Sequence, residues 1–427
     1  MSTLPINQDL KVSSLAENII GSEIIKLAGE VNEKIKQGEK IFNLTIGDFD
    51  PKVFPIPTEL KDFIIEEYQN NATNYPAADG MLELRQSISN LLKERGQLNY
   101  ATNEIVIAGG ARPLIYSLFR ALVDPGDKVL FPVPSWNNNH YTYLNGGVPV
   151  LIDAGPESNF MPTAEKIKPH LQDASLIALC SPQNPTGTVF SKKDLTEICE
   201  LILSENKRRD SQQKPLYLMY DQIYWELTYG ETKHYNPVSL FPEMKDYTVY
   251  VDGISKSLAA TGVRVGWSMG PKKIIEKMKA ILTHVGAWAP KAEQLAAAKY
   301  LGNLNLYDSF LSDQKKKIEE RLVGFYKGFM DLKNEGFEVN AISPQAAIYL
   351  TIQFNLVGKK TADGSVLNST QDITKYILEV AKIAVVPFYA FGASKNSTWY
   401  RLSVGTCKVE DVNDAIISLR NALKQLH

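Results

Sequence analysis

The chain has 427 residues, a net charge of -2 and 44% hydrophobic residues, which is typical of a globular protein with a large core. Its pI of about 6.3 provides no broad positive field for nucleic acid, and no stretch approaches the roughly 18 consecutive apolar residues of a membrane span. Three dispersed cysteines and five histidines indicate neither a disulfide framework nor a metal site. The opening residues show no secretory signal, so we expect a cytoplasmic protein.

The first predicted elements are a helix over residues 13–37, ended by Gly38, and a short strand in IFNLTIG. From about residue 80, strands and helices alternate. The predicted helices are LRQSISNLLKERG, LIYSLFRALV and DLTEICELILSENKRR, and the predicted strands are EIVIAGG, DKVLFPV, VPVLIDA, LIALCSP, PLYLMYD and TVYVDGI. Short apolar strands joined by helices predict an α/β fold with a mostly parallel sheet covered on both faces.

The C-terminal part of the chain has a different pattern. After the helix KKIIEKMKAILTHV comes a long helical region over residues 291–335, and then the strands AAIYLTIQF, IAVVPF and WYRLSV mix with two helices. This pattern predicts a second, smaller α+β region. We therefore divide the chain into an N-terminal helix and arm of the small domain (1–50), a large domain (51–305) and a small C-terminal domain (306–427).

Several predicted strands end in polar or glycine-rich stretches, and ligands of such sheets bind beyond the carboxyl ends of the strands. EIVIA runs into GGARP before a helix, which suits an anion at the helix N-terminus or an ordinary tight turn. LIALC runs into SPQNPTGT, where two prolines and a glycine present Asn184 or simply form a loop. Neither stretch decides between its two interpretations alone.

Three further segments place ionisable groups near apolar strands. Asp221 ends PLYLMYD and would be either a desolvated carboxylate that needs a cation or a helix N-cap. Lys256, in DGISKSLAATGVRVGW, would be either a surface charge or a desolvated, nucleophilic amine. Arg401, in WYRLSV, requires an anionic partner, either a structural carboxylate or that of a substrate.

Taken together, these groups match what pyridoxal phosphate requires of a protein. Its phosphate needs amide donors and an arginine, its aldehyde needs a lysine, and its ring nitrogen needs an acidic partner. PxNPTG, DxxY, SKxxxxxGxRxG and RLS occur in this order along the chain. In these motifs the chain resembles the pyridoxal-phosphate-dependent aminotransferases of fold type I, class I/II (the aspartate aminotransferase superfamily).

The resemblance implies a role for each matching residue. Lys256 forms a Schiff base with the cofactor and then moves the proton, while Asp221 pairs with the ring nitrogen. Tyr224 and Asn184 contact the cofactor's phenolic oxygen. The implied catalytic residues are Lys256, Asp221 and Tyr224. The implied cofactor contacts are Gly110, Ala111, Arg112, Trp136, Asn184, Asp221, Tyr224, Ser255, Lys256 and Arg264.

The resemblance also implies how substrates and subunits are held. Arg401 binds the α-carboxylate of the substrate, with help from Asn184 and the backbone of Gly47. Tyr75, in NYPAADG, contacts the cofactor phosphate of a partner subunit. The implied assembly is therefore a homodimer with shared active sites.

The chain departs from the family pattern around the phosphate. Gly253 stands where a serine is usual, three residues before the lysine, and Ala111 stands where a polar residue is frequent. We hypothesise that the guanidinium of Arg112 compensates for these missing ligands.

A second departure lies in VPFYAFG, which takes the place of a proline–glycine–serine stretch. Two interpretations of its aromatic residues are open: they line the substrate side-chain pocket, together with Trp288 of a neighbouring subunit, or they pack between domains. These residues are Phe388, Tyr389 and Phe391.

The predicted function is ping-pong transamination between an L-amino acid and a 2-oxo acid, with no nucleic-acid or membrane partner. A carbon–sulfur β-lyase, or another lyase on the same scaffold, is the nearest alternative because these reactions share the cofactor chemistry. A ligand-sensing regulator would need a basic DNA-binding head, which the pI and the short N-terminus disfavour. The aromatic residues slightly favour a large apolar or aromatic donor over aspartate, for which Arg112 is the nearest second cation.

Overall fold

The computed structural model describes residues 11–21 and 23–427, so residues 1–10 and Ser22 of the predicted N-terminal arm lie outside it. The described part of this arm forms α1 (Ser14–Glu17), α2 (Glu23–Lys36) and the short strand β1 (Phe42–Asn43). The single helix predicted over 13–37 is therefore wrong. The side chain of Asn18 donates a hydrogen bond to the carbonyl of Ser14, which ends α1 ahead of Gly21.

A seven-stranded sheet forms the larger part of the molecule. Its strands are β2 (Ile105–Ala108), β3 (Lys128–Val133), β4 (Val148–Asp153), β5 (Ala174–Cys180), β6 (Tyr217–Asp221), β7 (Thr248–Gly253) and β8 (Gly266–Met269). They lie in the order β2-β8-β7-β6-β5-β3-β4, and only β8 runs antiparallel to its neighbours. The mostly parallel sheet is confirmed, whereas β8, in a glycine-rich segment, was not predicted.

Helices cover both faces of this sheet. In chain order they are α3 (Thr58–Gln69), α4 (Leu82–Gly96), α5 (Ala111–Leu122), α6 (Asn138–Leu144), α7 (Ala164–Ile167), α8 (Lys192–Arg208), α9 (Pro237–Leu240), α10 (Ile254–Ser257), α11 (Lys272–Val285), α12 (Lys291–Leu301) and α13 (Leu304–Asn334). No helix among the described residues is both long enough and apolar enough to cross a membrane.

The alternation of side chains along each strand gives the sheet a separate core on each face. In β2, Val106 and Ala108 belong to the cluster that includes residues of α5 and α11. Ile105 and Ile107 belong to the larger cluster that includes residues of α4, α8 and α12. Burial on both faces explains why these strands read as continuous apolar runs.

The C-terminal part contains a four-stranded antiparallel sheet. Its elements are β9 (Val339–Ala341), β10 (Tyr349–Phe354), β12 (Val386–Pro387) and β13 (Trp399–Ser403), in the order β12-β13-β10-β9. The remaining elements are α14 (Thr370–Val380), α15 (Val409–Leu423) and β11 (Ile383–Ala384), which pairs in parallel with β1. The predicted smaller α+β region is confirmed, with β9 as an additional strand.

One face of this small sheet is polar although it is buried. It carries Tyr349, Thr351, Arg401 and Ser403. The hydroxyl of Thr351 donates to the carbonyl of Thr186 at 2.7 Å, and that of Ser403 donates to the carbonyl of Ile46 at 2.6 Å. These bonds fix the small sheet against the loop after β5 and the segment after β1.

The backbones of three glycines meet at the carboxyl end of β7 in the large sheet. Gly253 and Gly266 face each other across β7 and β8. A Cβ on Gly253 would lie 2.9 Å from the Cα of Gly266, and one on Gly266 would lie 2.7 Å from the carbonyl carbon of Gly110. Only glycine therefore allows this approach, which brings the N-terminus of α5 against the ends of β7 and β8.

We expect Gly253→Ser to lower the unfolding free energy by about 1–3 kcal/mol, because its Cβ would overlap Gly266 and push apart two strands. The added hydroxyl should not strengthen cofactor binding. Urea unfolding and a cofactor-binding titration measure both effects. The control is Gly29→Ala in α2, outside the cavity, whose Cβ would have no heavy atom within 4 Å. A stable serine variant with tighter cofactor binding would contradict this steric account.

Candidate active site

A cavity of about 500 Å³ opens at the carboxyl ends of the large-sheet strands, against the small sheet. It brings together most of the site residues predicted from the sequence. Those that line it are Gly47, Ala111, Arg112, Trp136, Asn184, Asp221, Tyr224, Ser255, Lys256, Arg264 and Arg401. Residues separated by up to 354 positions along the chain therefore meet at one place, as the topology of an open α/β sheet allows.

Two predicted site residues, Gly110 and Tyr75, lie outside this lining. Gly110 is the N-cap of α5, and a Cβ there would overlap the guanidinium of Arg264. Tyr75 is 81% exposed, and its ring packs edge-on against Trp288, with 5.2 Å between the ring centroids. Gly110 thus borders the cavity, whereas Tyr75 is an exposed side chain that does not line the cavity of its own chain.

Lys256 lies on the short helix α10 directly after β7. Its Nζ donates a hydrogen bond to the carbonyl of Gly47 at 2.8 Å. Burial lowers the pKa of this amine to about 8, while the carboxylate of Asp48 opposes the shift and the charge of Arg401 adds to it. The lysine is thus a desolvated amine inside a cavity and not a surface charge.

Asp221 ends β6 and faces the same cavity. Its Oδ1 accepts a hydrogen bond from the amide of Ile223 at 3.0 Å, so part of the N-cap interpretation holds. Burial raises the pKa of its carboxyl to about 6, and the Ile223 amide and the charge of Lys256 partly reverse this shift. Among the described residues, Asp221 has no ion-pair partner, so the cation it requires would come from a ligand.

Arg401 is 1% exposed and has no carboxylate partner among the residues that the structure describes. Its guanidinium donates to Oδ1 of Asn184 at 3.0 Å and to the carbonyl of Thr45 at 2.6 Å, while its Nε donates to no group. Burial lowers the pKa of this side chain. A buried guanidinium with free N–H groups is suited to a carboxylate from a ligand.

The rings of Tyr349 and Phe391 enclose this guanidinium, with its central carbon 4.7 and 4.9 Å from the ring centroids. Asn184 is fixed as well, because a guanidinium only donates and its partner must be the amide oxygen. The nitrogen of the Asn184 amide is therefore left to donate to another group. Arg401 and Asn184 form one preorganised unit.

The other two cavity arginines also lack a carboxylate partner among the described residues. Arg264 donates to the carbonyls of Thr261 and Gly109, each at 2.7 Å. Arg112, in the first turn of α5, lies 5.3 Å from the ring centroid of Trp136. Both positive charges stand near the N-terminus of α5, where backbone amides favour an anion.

The sequence analysis missed several cavity residues. Asp48 accepts a hydrogen bond from the hydroxyl of Thr261 at 2.6 Å, and Cys180 lies at the end of β5 beside Asp221. Tyr349 lies on β10 with its hydroxyl in the cavity. Asp48 had a signal, since it follows Gly47 in the turn-prone GDFDP. Tyr349 had none, because a tyrosine in an apolar strand normally indicates core packing.

The aromatic loop after β12 packs inside the protein. Phe388 is fully buried and Phe391 is 4% exposed, in a cluster with Phe160. Phe388 and Phe391 do not line the active-site cavity, and Tyr389 lines a separate cleft beside α2. Phe388 therefore packs between elements, whereas the ring of Phe391 packs in the same cluster and also lies against the guanidinium of Arg401.

Comparison with known proteins identifies the family. The family model described as aminotransferase class I and II matches residues 39–419. The chain belongs to the class I and II aminotransferases. This aminotransferase is 30% identical over 384 residues to the aspartate aminotransferase of Bacillus sp. (strain YM-2). The alignment covers 90% of this chain and 92% of that relative.

Solved structures agree with this assignment. The aspartate aminotransferase from Rhizobium meliloti has a TM-score of 0.89 at 27% identity, and the match covers 98% of this chain and 100% of that one. An aromatic aminotransferase from Pyrococcus horikoshii has a TM-score of 0.79 at 26% identity, with 92% and 98% covered. The α/β fold with its mostly parallel sheet is the fold of these enzymes.

Members of this family use pyridoxal phosphate, and the cavity residues fit this cofactor. Within the described part of the chain, the cavity offers a desolvated amine at Lys256, a buried carboxylate at Asp221 without a cationic partner, and arginines without a carboxylate partner. The chain is a pyridoxal-phosphate-dependent transaminase. Nothing in the family or in the named relatives favours the lyase alternative.

Proposed function

We propose that this aminotransferase uses Lys256, Asp221 and Arg401 as the amine, the ring partner and the carboxylate ligand of one active site. The observation that supports the proposal is that these three side chains meet in a single cavity and that none of them has an ion-pair partner among the residues described. When bound, pyridoxal phosphate supplies an aldehyde for an amine and a ring that accepts electrons.

We propose that the cofactor is held at three places. The Gly110 and Ala111 amides, Ser255, Arg264 and Arg112 would hold its phosphate at the N-terminus of α5. Trp136 would pack on its ring. Tyr224 and the free nitrogen of Asn184 would donate to its phenolic oxygen, and Asp221 would keep its ring nitrogen protonated. The hydrogen bond that Asn184 Oδ1 accepts from Arg401 supports this assignment of the amide nitrogen.

The proposed chemistry of the protein is proton transfer at Lys256. Arg401 binds the α-carboxylate, assisted by the Gly47 backbone, and so directs the α-carbon toward the amine. The Nζ of Lys256 removes the proton from the α-carbon and carries it until the proton is delivered to another atom. A base whose pKa burial has brought near neutrality suits this task. Because donor and acceptor both carry a carboxylate, Arg401 serves both half-reactions.

We propose aspartate as an amino donor. The support is that relatives from Bacillus and Rhizobium meliloti are named aspartate aminotransferases. The absence of Phe388 and Phe391 from the cavity lining gives less support to an aromatic donor than the sequence did.

We propose that the enzyme is a homodimer with shared active sites. In support, Tyr75 is 81% exposed outside the cavity of its own chain, in contact with Trp288. The amide of Gly109, beside the phosphate-binding turn, donates to the carbonyl of Ala287 at 2.9 Å and ties this surface to that turn. Exposed apolar side chains near the N-terminus, such as Ile20 (72%), give a further surface for a partner.

We also propose three units along the chain, at residues 1–50, 51–305 and 306–427. The seven-stranded sheet falls within the second unit and the four-stranded sheet within the third. The pairing of β1 with β11 supports assigning the N-terminal segment to the small domain.

A half-reaction screen tests the central proposal. With the cofactor-loaded protein and no 2-oxo acid, aspartate should convert the cofactor's absorbance band to that of its amine form with release of oxaloacetate. Lys256→Ala should abolish this conversion, and Lys256→Arg is the control that keeps the charge but not the nucleophile. Reaction with phenylalanine or leucine but not with aspartate would overturn the proposed donor. An unaltered rate in Lys256→Ala would overturn the site.

A second test concerns Arg112. Arg112→Met should raise the dissociation constant of pyridoxal phosphate about tenfold, because one charge-assisted contact to phosphate is lost. Arg112→Lys, which keeps the charge, should recover part of the affinity. Equilibrium titration of the cofactor-free protein measures both. If cofactor affinity is unchanged and only the KM for aspartate rises, Arg112 serves the substrate's second carboxylate and the phosphate role is wrong.

Mixed dimers test the shared site. Lys256→Ala and Tyr75→Ala proteins should each be impaired, but unfolding and refolding them together should restore about a quarter of wild-type activity. Half of the dimers would then be hybrids with one intact site of two. Mixing Lys256→Ala with Arg401→Ala is the control, because both residues belong to the same subunit's cavity and no intact site forms. Hybrids without recovered activity would contradict sharing.

A further inference from the structure

Two phenols are hydrogen-bonded to each other at the base of the active-site cavity. The hydroxyls of Tyr224 and Tyr349 are 2.6 Å apart, and the two rings are 1–2% exposed. Tyr224 follows β6 of the large sheet, and Tyr349 begins β10 of the small sheet. The pair is therefore a direct contact between the two parts of the molecule inside the site.

Tyr349 also touches the substrate-binding side of the cavity. Its ring lies 4.7 Å from the guanidinium carbon of Arg401. Its hydroxyl occupies the space beside Gly47, where a Cβ would lie 2.8 Å from that oxygen. One side chain thus contacts the proposed cofactor ligand Tyr224, the carboxylate ligand Arg401 and the segment that accepts the Lys256 amine.

The proposed role of Tyr224 decides which phenol donates. Each hydroxyl has one proton, and two protons cannot both lie between oxygens 2.6 Å apart. If the proton of Tyr224 serves the cofactor's phenolic oxygen, the bond between the two hydroxyls requires the proton of Tyr349. Tyr349 has no other hydrogen-bond partner among the described residues. Donation by Tyr349 leaves the proton of Tyr224 free to point into the cavity.

We propose that Tyr349 is a positioning residue that donates to Tyr224 and thereby fixes Tyr224 as a hydrogen-bond donor to the cofactor's phenolic oxygen. The inference rests on the proposed role of Tyr224. In this arrangement hydrogen bonds run in one direction, from Tyr349 to Tyr224 and on into the cavity, and each strengthens the next. The ring of Tyr349 separately holds one face of Arg401.

The test is a pH titration of the bound cofactor's absorbance band. A donor to the phenolic oxygen favours its anionic form and lowers the titration midpoint, so Tyr349→Phe should move the midpoint upward by about half a pH unit. Tyr224→Phe should move it further. In the double variant, Tyr349→Phe should add nothing, because it acts through Tyr224. Tyr400→Phe, which loses a buried hydroxyl bonded to Thr370 outside the cavity, is the control.

The outcomes separate the inference from the function on which it rests. If Tyr224→Phe leaves the midpoint unchanged, the proposed role of Tyr224 is wrong. If Tyr224→Phe moves it while Tyr349→Phe does not, the function stands and the inference is overturned. Equal additive shifts in the double variant would also overturn it, because Tyr349 would then act independently of Tyr224.

Two further measurements keep the test valid if the phenylalanine variant is poorly folded. Tyr349→3,5-difluorotyrosine keeps the ring and the hydroxyl but makes the phenol a stronger donor, so the midpoint should move downward. Tyr349→Leu removes the ring from Arg401 and should raise the KM of the amino donor several-fold, whereas Tyr349→Phe should leave that KM nearly unchanged. A midpoint that rises with the fluorinated side chain contradicts donation by Tyr349.

Discussion

The close approach of Gly110, Gly253 and Gly266 is the constraint on which the active site depends. It brings the first turn of α5 against the ends of β7 and β8, so the backbone amides of that turn and the lysine that follows β7 border one cavity. Any side chain at Gly253 or Gly266 would separate these backbones. A serine hydroxyl at the position of Gly253 is therefore incompatible with this packing, and the proposed phosphate site relies on backbone amides and arginines.

The second feature that determines the geometry of the active site is the polar face of the small sheet. Hydrogen bonds from Thr351 and Ser403 to backbone carbonyls hold this face against the large-sheet loops, so Arg401 and Tyr349 enter the cavity at fixed positions. The two parts of the molecule have different tasks. The large sheet carries the amine of Lys256, the carboxylate of Asp221 and the turn proposed to bind phosphate, whereas the small sheet carries Arg401, the proposed ligand of the substrate carboxylate, and Tyr349 beside it.

The sequence predicted the site better than it predicted the details of the fold. Lys256, Asp221 and Arg401 could be found because each places a charge beside an apolar run, and such a charge requires a partner. Strand β8 and Tyr349 could not be found. GWSM is too short and too rich in small residues to show the alternation of a strand. The hydroxyl of Tyr349 has its hydrogen-bond partner in Tyr224, 125 positions away in the sequence, so the sequence around Tyr349 does not reveal the contact. The break between α1 and α2 depends on a local side-chain bond that periodicity does not reveal.

The buried, uncompensated guanidinium of Arg401 has a consequence for the protein in solution. Among the described residues it has no counter-charge, which is a cost to the folded state; a small carboxylate that reached it would remove this cost and stabilise the native protein through mass action. We therefore expect acetate, citrate and similar buffer components to bind here and to compete with carboxylate substrates. The ionic composition of the medium would then be one of the variables that set both the melting temperature and the apparent KM.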